Sequence, residues 1–339
     1  MKKLLNSLYI TRQGAYLHKE RETLVIEVEK EKILQLPIHA IQAIYCFGNV
    51  LVSPFLIGFC GEKGIHLAFF TQYGRFLGRF QGPQMGNVLL RKAQYQTAEK
   101  APLSISRNII AAKLYNSRAV LYRHQRNHGK NEKIQQAILQ ISSALNRLKK
   151  ANTLDIIRGI EGEVASFYFG VFNEMILPKV ASEFQFKNRT RRPPLDRTNA
   201  LLSFLYSIVG NDISAALQGV GLDPQVGFLH QDRPGRDSLA LDVLEEFRAW
   251  LVDRMVLSLI NRKQIQSQDF EIEASGAVKL KTKARKNILT ALQNRKQETI
   301  QHPYLKEKVE IGLLPHIQAQ LLARHLRGDL AEYPPFTPR

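Results

Sequence analysis

The sequence predicts an α+β protein in which a small N-terminal β-sandwich-like domain is followed by a larger all-α domain. Short apolar runs separated by glycines fill residues 1–80, and long segments of helical periodicity begin near residue 104. Length is the third observation. A single hydrophobic core stops growing beyond roughly 250 to 300 residues, and this chain has 339. The sequence therefore predicts two domains.

The change of pattern along the chain sets the predicted boundaries. We expect a β domain over 1–85, a linker over 86–103, a helical domain over 104–330 and a proline-rich, extended or disordered tail over 331–339. The predicted strands of the first domain are 23–29, 41–47 and 65–70. Between them, Ser53 and Pro54 predict a helix start, and Gly61 or Gly64 its end.

Apolar periodicity places the helices of the second domain. The predicted segments are 104–126, 132–150, 152–177, 198–218, 238–262, 284–298 and 304–326. Asn152 is the expected cap of the third segment, and Asp237 or Ser238 caps the fifth. A short hairpin is expected in FEIEASGAVKL, with its turn at Ser275 and Gly276.

Composition argues against several classes of protein. The longest uninterrupted apolar stretches are shorter than the roughly 20 residues that cross a bilayer, so no membrane span is expected. The start MKKLLNSLYITRQ lacks the continuous apolar core of a signal peptide, so export is not expected. Cys46 and Cys60 are too few for a disulfide framework or a thiolate zinc cage. We expect two buried thiols in a reducing cytoplasm.

Charge is distributed unevenly along the chain. The net charge of +18 implies a polyanionic partner, with nucleic acid first. Residues 91–150 have a net charge of +11, whereas residues 151–260 have a net charge of −3. A basic arm beside an excess of carboxylates is typical of a metal-dependent nucleic-acid enzyme. Ordinary helix surfaces are the alternative explanation.

A glutamate in IIRGIEGEVASFYF lies on an apolar helix face. Glu161 shares that predicted face with Ile157, Val164 and Tyr168, whereas Glu163 points about 160° away. A carboxylate that faces a core must be paired, protonated or bound to a metal ion. An arginine partner from another helix is the alternative to a metal.

Two further candidates lie in GFLHQDRPGRDSLALDVLEEFR. His230 ends an apolar, strand-like run and enters a loop, where functional side chains are common. Asp242 and Glu245 share one face of the helix that follows. Each feature has a structural alternative: a lone histidine is often structural, and the acids suit a helix start or a pair with Arg248. Together with Glu161 they offer oxygen and nitrogen ligands suited to Mg²⁺ or Mn²⁺.

The chain resembles the CRISPR-associated integrase family, the catalytic subunit of the complex that adds spacers to CRISPR arrays. The resemblance is carried by GIEGEVASFYF, RTRRPPLDRTNALLSFLY and GFLHQDRPGRDSLALDVLEEFR, in this order. LYITRQGAYLHKE, LPIHAIQAIYCFG and FLGRFQGPQMGNVLLRKAQY extend it over essentially the whole chain. Within the family, the sequence is most similar to relatives from type I systems, subtype I-C.

The resemblance implies a dimerising β domain and a helical catalytic domain that binds a divalent metal. Glu161, His230 and Glu245 match its catalytic, metal-binding residues, and Asp242 matches a supporting acid. The resemblance also implies that Asn199 and Tyr206 organise the catalytic pocket. Its DNA-contacting residues would be Arg189, Arg191, Arg192 and Arg248. Without the resemblance, the same stretch is a basic loop before a helix capped by Asp196 or Thr198, with Tyr206 in the core.

The basic arm carries no base-reading motif, so its lysines and arginines are expected to hold phosphates without sequence preference. Tyr115 and Tyr122 stack on frayed bases or belong to the core.

The function implied is a metal-dependent DNA integrase and endonuclease that joins 3′-hydroxyl ends of spacer-precursor DNA to the repeat by transesterification. The alternatives are a non-catalytic basic DNA-binding scaffold and a general metal-dependent nuclease. Expected partners are double-stranded DNA, a second copy forming a homodimer, and a small ferredoxin-like CRISPR adaptation subunit, with no membrane involved.

Overall fold

The computed structural model describes residues 7–41, 43–72, 76–80, 82 and 88–338. The predicted boundary between residues 85 and 86 lies outside these residues.

The N-terminal part contains two four-stranded sheets. The first has the order β1-β5-β7-β8 and consists of β1 (Ser7–Ile10), β5 (Ala43–Phe47), β7 (His66–Phe70) and β8 (Phe76–Phe80). The second has the order β4-β3-β2-β6 and consists of β2 (Ala15–Glu20), β3 (Thr23–Val28), β4 (Glu31–Pro37) and β6 (Val50–Val52). Helix α1 (Pro54–Glu62) begins as predicted, because Ser53 Oγ accepts the N–H of Leu56 at 3.2 Å.

One hydrophobic core lies between the two sheets. Leu17 and Leu24 of the second sheet pack in the same cluster as Ile44 and Leu67 of the first. Cys46 and Cys60 are buried free thiols in this cluster, which confirms the prediction for both. One face of each sheet is thus buried against the other sheet.

The opposite face of the first sheet packs on the helical part. Tyr45, Phe47 and Phe70 belong to the core cluster that also contains the buried helix residues. Tyr45 OH donates to Asp212 Oδ1, and Lys296 Nζ lies 2.5 Å from Asp212 Oδ2. The β part is therefore attached to the helices by both apolar and charged contacts.

The helical part follows in sequence. Its helices are α2 (Val88–Lys100), α3 (Leu103–His128), α4 (Glu132–Lys149), α5 (Leu154–Gly170), α6 (Pro178–Ala181), α7 (Arg197–Gly219), α8 (Ser238–Phe247), α9 (Arg254–Asn261), α10 (Thr282–Gln297) and α11 (Leu314–Leu326). A π-helical segment, Arg248–Asp253, joins α8 to α9. The two hairpins are β9 (Phe270–Ile272) with β10 (Val278–Leu280) and β11 (Thr299–Gln301) with β12 (Lys308–Glu310). The α+β class and most predicted helices are confirmed, but the second part is not all-α.

Three predicted elements differ locally from the structure. The predicted linker 86–103 contains helix α2. Thr153, rather than Asn152, caps α5, since its Oγ1 accepts the N–H of Ile156 at 3.3 Å. The predicted helix 304–326 was wrong in its first third, because the ring of His302 accepts the N–H groups of Tyr304 and Leu305 and turns the chain back into a hairpin.

The proline-rich tail is extended but not disordered. Tyr333 and Phe336 are only 1% and 0% exposed, and the ring of Phe336 stacks on Phe247 with centroids 5.3 Å apart. The prolines exclude a helix, while the two aromatic side chains supply the apolar area that holds the segment in place.

Helix α7 is long and apolar enough to cross a membrane by length and composition. However, 67% of its most apolar window is buried inside the protein, as expected for a core helix.

Candidate metal centre

Glu161 and Glu245 meet at a lysine that the sequence analysis did not single out. On α5, Ile157, Val164 and Tyr168 are buried as predicted, and Glu161 lies at the edge of that face with 29% of its side chain exposed. Lys113 Nζ of α3 contacts Glu161 Oε1 and lies 2.7 Å from Glu245 Oε2. Two of the predicted ligands therefore converge on a single positive charge.

Glu245 is an ionised carboxylate inside the protein, with only 5% of its side chain exposed. Burial alone would raise its pKa, but Arg248, Lys113 and His230 together lower the pKa to about 2. Arg248 Nε lies 3.2 Å from Glu245 Oε1, so the pair proposed from sequence exists. The carboxylate is available as an anionic ligand at neutral pH.

Asp242 organises the loop that carries His230. The carboxylate is fully buried and accepts the backbone N–H groups of Phe228, Leu229 and His230 at 2.7, 2.9 and 3.0 Å. His230 Nδ1 lies 2.6 Å from Asp242 Oδ1. This contact fixes the ring through Nδ1 and leaves Nε2 as the nitrogen for a metal ion.

The loop is held by these contacts rather than by a sheet, since the apolar run before His230 forms no strand. Gly227 permits the close approach, because a Cβ there would lie 2.9 Å from both Asp242 Oδ2 and Ser238 Cβ. Asp237 is the N-cap residue of α8, one of the two expected positions. Its carboxylate makes no hydrogen bond to the helix, because it pairs with Arg79 instead, and Ser238 Oγ donates to Gln231 O at 3.0 Å.

Asn199 is a fully buried anchor at the start of α7. Its Oδ1 accepts from Arg189 Nη1 at 2.6 Å and from the N–H of Thr190 at 3.1 Å. Its Nδ2 donates to Asn188 O at 2.8 Å. Asp196 caps the helix through the N–H of Asn199 at 2.7 Å, which confirms one of the two expected caps.

Tyr206 connects this anchor to Glu245. The guanidinium groups of Arg189 and Arg248 lie over its ring, 5.4 and 4.8 Å from the centroid. Its hydroxyl donates to Asp253 Oδ1 at 2.5 Å. Burial raises the pKa of Asp253 to about 6, against the opposing effects of its hydrogen bonds and of Arg248. Tyr206 thus belongs to the core and lies beside the predicted site at the same time.

The predicted DNA-contacting arginines occupy different environments. Arg191 and Arg192 are exposed, and Arg189 is half-buried. Arg248 has only 16% of its side chain exposed and points at Glu245. A role in DNA binding stays a prediction for all four.

The donor chemistry of this region fits a hard divalent cation. Two carboxylates already converge on a cation, and the imidazole of His230 lies close enough to lower the pKa of Glu245. Within the described part of the chain, however, no three His, Cys, Asp or Glu side chains are close enough to hold an ion. Lys113 occupies the position between the glutamates, so a metal ion there must displace its ammonium group.

Lys113 and Asp253 are the residues that sequence analysis missed. The helix in which Lys113 lies contains Ile109 and Ile110, four and three residues earlier and both buried. A lysine on such a face is unexpected unless it is paired, and this was the available signal. Asp253 carried no comparable signal, because the π-helical turn that directs it inward is not visible in apolar spacing.

Comparison with known proteins gives the family. A model of the family described as CRISPR associated protein Cas1 matches residues 8–294. A CRISPR-associated endonuclease Cas1 from Chlorobaculum tepidum is 49% identical over 341 residues and covers 99% of each chain. Another from Rhodospirillum rubrum is 48% identical over 344 residues, with the same coverage.

Solved structures agree in fold. A casposase bound to an integration product has a TM-score of 0.84 at 24% identity, covering 98% of this chain and 93% of that one. A Cas1 protein from Thermotoga maritima has a TM-score of 0.81 at 23% identity, covering 96% and 97%. Since the family model spans most of the sequence and the relatives match nearly all of it, the chain belongs to the Cas1 family of CRISPR-associated endonucleases.

Proposed function

We propose that Glu161, His230 and Glu245 form the metal-dependent active site with which this CRISPR adaptation endonuclease joins DNA ends to a repeat. The observation that carries the proposal is the convergence of Glu161 and Glu245 on one cation, Lys113 Nζ, beside a histidine that Asp242 orients. A site built in this way is selective for positive charge and offers both oxygen and nitrogen ligands.

The three side chains would hold Mg²⁺ or Mn²⁺, which supplies activation of the attacking oxygen and stabilisation of charge at phosphorus. Asp242 keeps the His230 ring in place through Nδ1. Arg248 keeps Glu245 ionised and remains beside it as a positive group for a phosphate. The attacking group is the 3′-hydroxyl of a spacer precursor, and a 3′-oxygen of the repeat leaves. Water in place of the hydroxyl gives hydrolysis.

DNA binding is assigned to the exposed cationic surface. Arg191 and Arg192 lie at the surface close to buried Asn199, which anchors the loop that carries them. In the basic arm, Tyr115 and Tyr122 are 38% and 50% exposed, which supports stacking on bases rather than a place in the core. The remaining lysines and arginines of residues 91–150 would hold phosphates.

The partners proposed are double-stranded DNA, a second copy of the chain and a small ferredoxin-like subunit. A Cas6-RT-Cas1–Cas2 complex contains a chain of which 36% matches this fold, at a TM-score of 0.83 and 22% identity, covering 99% of the present chain. In the N-terminal part, Leu51 and Phe55 are 61% and 84% exposed, which supports a sandwich-like dimerisation domain. We further propose a type I system, subtype I-C, and action on DNA in the cytoplasm.

A non-catalytic DNA-binding scaffold is the second candidate. The observation that favours it is Lys113, whose ammonium group pairs with both glutamates in place of a metal ion. The scaffold predicts that EDTA leaves every activity unchanged, and that His230→Ala mainly lowers stability.

The test is an integration assay with a short duplex, a supercoiled plasmid that bears a repeat, the partner subunit, and either Mn²⁺ or EDTA. Glu161→Ala, His230→Ala and Glu245→Ala should each abolish strand transfer and leave DNA binding nearly intact, because each removes a ligand but no exposed cation. Glu163→Ala is the matched control, since Glu163 pairs with Arg147 on another side of α5. Normal integration by the three variants, or in EDTA, would contradict the proposal.

A further inference from the structure

The start of α8 is fixed by a strand of the N-terminal sheet. Asp237 occupies the N-cap position but makes no side-chain hydrogen bond to the helix. Its carboxylate instead meets the guanidinium of Arg79 in β8. Arg79 Nη2 donates to Asp237 Oδ1 at 3.1 Å, and Nη1 donates to Oδ2. A distant strand thus provides the contact that anchors this end of α8.

The ion pair is largely buried and includes a third member. Ser214 of α7 donates to Asp237 Oδ2 at 2.9 Å and accepts a hydrogen bond from Arg79 Nη1. The side chains of Arg79 and Asp237 are 12% and 26% exposed, and Ser214 is buried. A two-pronged, charge-assisted contact with little solvent screening fixes both distance and orientation.

The same end of α8 holds the loop that carries His230. The N–H of Leu239 donates to Pro224 O at 2.9 Å, and Ser238 Oγ donates to Gln231 O at 3.0 Å. Further along α8, Asp242 binds His230 and Glu245 faces Lys113. A displacement at Asp237 would therefore move the loop and the helix that together present the proposed ligands.

A second polar contact between the sheet and the helices does not involve α8. Tyr45 of β5 donates to Asp212 of α7, which also pairs with Lys296 of α10. The Tyr45 ring stacks on Tyr9 with centroids 5.2 Å apart. The attachment of the sheet can thus be weakened at Tyr45 without touching the start of α8.

We propose that Arg79 is a positioning residue for the reaction. Through Asp237 it sets where α8 begins, and so sets the position of Glu245 relative to His230. The inference rests on the proposed metal site. The N-terminal β domain thus helps to position the proposed metal ligands.

The experiment compares Arg79→Ala, Arg79→Lys and the control Tyr45→Phe in the full chain. It measures Mn²⁺ affinity by calorimetry, and kcat and KM for strand transfer. Arg79→Ala should weaken Mn²⁺ binding and lower kcat roughly tenfold to a hundredfold, because misplaced reacting groups have effects of that size. KM for DNA should stay within about twofold. Arg79→Lys should restore part of kcat, since an ammonium group can meet Asp237 but cannot form the two-pronged contact.

Tyr45→Phe should lower the melting temperature and leave kcat and Mn²⁺ affinity unchanged. A folded Arg79→Ala variant with normal kcat and normal Mn²⁺ affinity would overturn the inference. Equal losses of kcat in Tyr45→Phe and Arg79→Ala would do the same, since Arg79 would then only support the interface. A wild-type chain that binds no Mn²⁺ would overturn the proposed metal site, and this inference with it.

Discussion

The ammonium group of Lys113 lies between two carboxylates that come from two other helices. Glu161 comes from α5 and Glu245 from α8, whereas Lys113 comes from α3, and only 11% of its side chain is exposed. A buried ammonium group in this position needs both carboxylates, and the carboxylates need a cation. A divalent ion that binds the same two oxygen atoms therefore competes with Lys113.

We predict that Lys113→Met binds Mn²⁺ at least roughly tenfold more tightly than the wild type, because a unit charge a few ångströms away is worth several kcal/mol in a partly buried site. Calorimetric titration measures this directly. Lys133→Met is the matched control, since Lys133 is 72% exposed and pairs with Glu174 away from the site. Unchanged or weaker Mn²⁺ binding by Lys113→Met would show that Lys113 does not compete for the ion.

The π-helical segment after α8 affects the orientation of two charged side chains, Arg248 and Asp253. The π-helical segment Arg248–Asp253 inserts an extra residue into the helical repeat, a feature that is frequent at functional sites. Arg248, at its start, pairs with Glu245 three residues earlier, while Asp253, at its end, accepts a hydrogen bond from Tyr206. A regular α-helix would rotate one of these side chains away from its partner.

The buried carboxyl group of Asp253 makes stability depend on pH. Burial raises its pKa in the folded protein to about 6, from an ordinary value of 3.8, so the folded state binds the proton more tightly. The associated stability is present at low pH and is lost as pH rises through about 6. Buried Glu246, with a pKa raised by burial to about 7, acts in the same direction.

We predict that Asp253 makes a growing stabilising contribution to the free energy of unfolding, measured by urea denaturation in EDTA, as pH falls from 8 to 5.5. Over this range Asp253→Asn should gain less stability than the wild type, by roughly 1 kcal/mol, because the group with a pKa of about 6 no longer titrates. Asp155→Asn is the control, since its side chain is 92% exposed. An unchanged slope in Asp253→Asn would show that Asp253 titrates at its ordinary pKa in the folded protein.

At the scale of the whole molecule, the tail is part of the core that supports α8. Glu246 accepts hydrogen bonds from Gln318, from the hydroxyl of Tyr333 and from the N–H of Phe336, at 2.9, 2.6 and 2.7 Å. Asn116 of α3 donates to the carbonyl groups of Glu246 and Phe336 at 2.8 and 2.9 Å. The last described residues thus join α3, α8 and α11.

We predict that Phe336→Ala lowers the free energy of unfolding by about 3 to 5 kcal/mol, since it empties a fully buried aromatic position. Denaturant titration would measure the change. Ile272→Ala is the control, because Ile272 is 64% exposed and its truncation leaves no cavity. A loss of less than about 1 kcal/mol in Phe336→Ala would show that the tail contributes little to the stability of the fold.

The spacing of apolar residues and the positions of capping residues predicted those helices whose structure depends on residues close in sequence. The strongly apolar segment 198–218 predicted α7, and Ser53 with Pro54 predicted α1. The hairpin after His302 and the burial of Phe336 depend on partners far along the chain, so periodicity missed them. The same division holds at the site. The shared face of Asp242 and Glu245 was predictable, whereas the contact between Lys113 and Glu161 spans 48 residues and was not.

The cage around Asp242 separates folding from metal binding. Since three backbone N–H groups and the imidazole already converge on this carboxylate, the His230 loop acquires its shape when the chain folds. The conformational entropy of the loop is therefore lost during folding. Ordering of the loop then does not reduce the affinity for a metal ion. Exchange of an ion at the proposed site would then leave the loop intact, so repeated turnover would require no refolding of the centre.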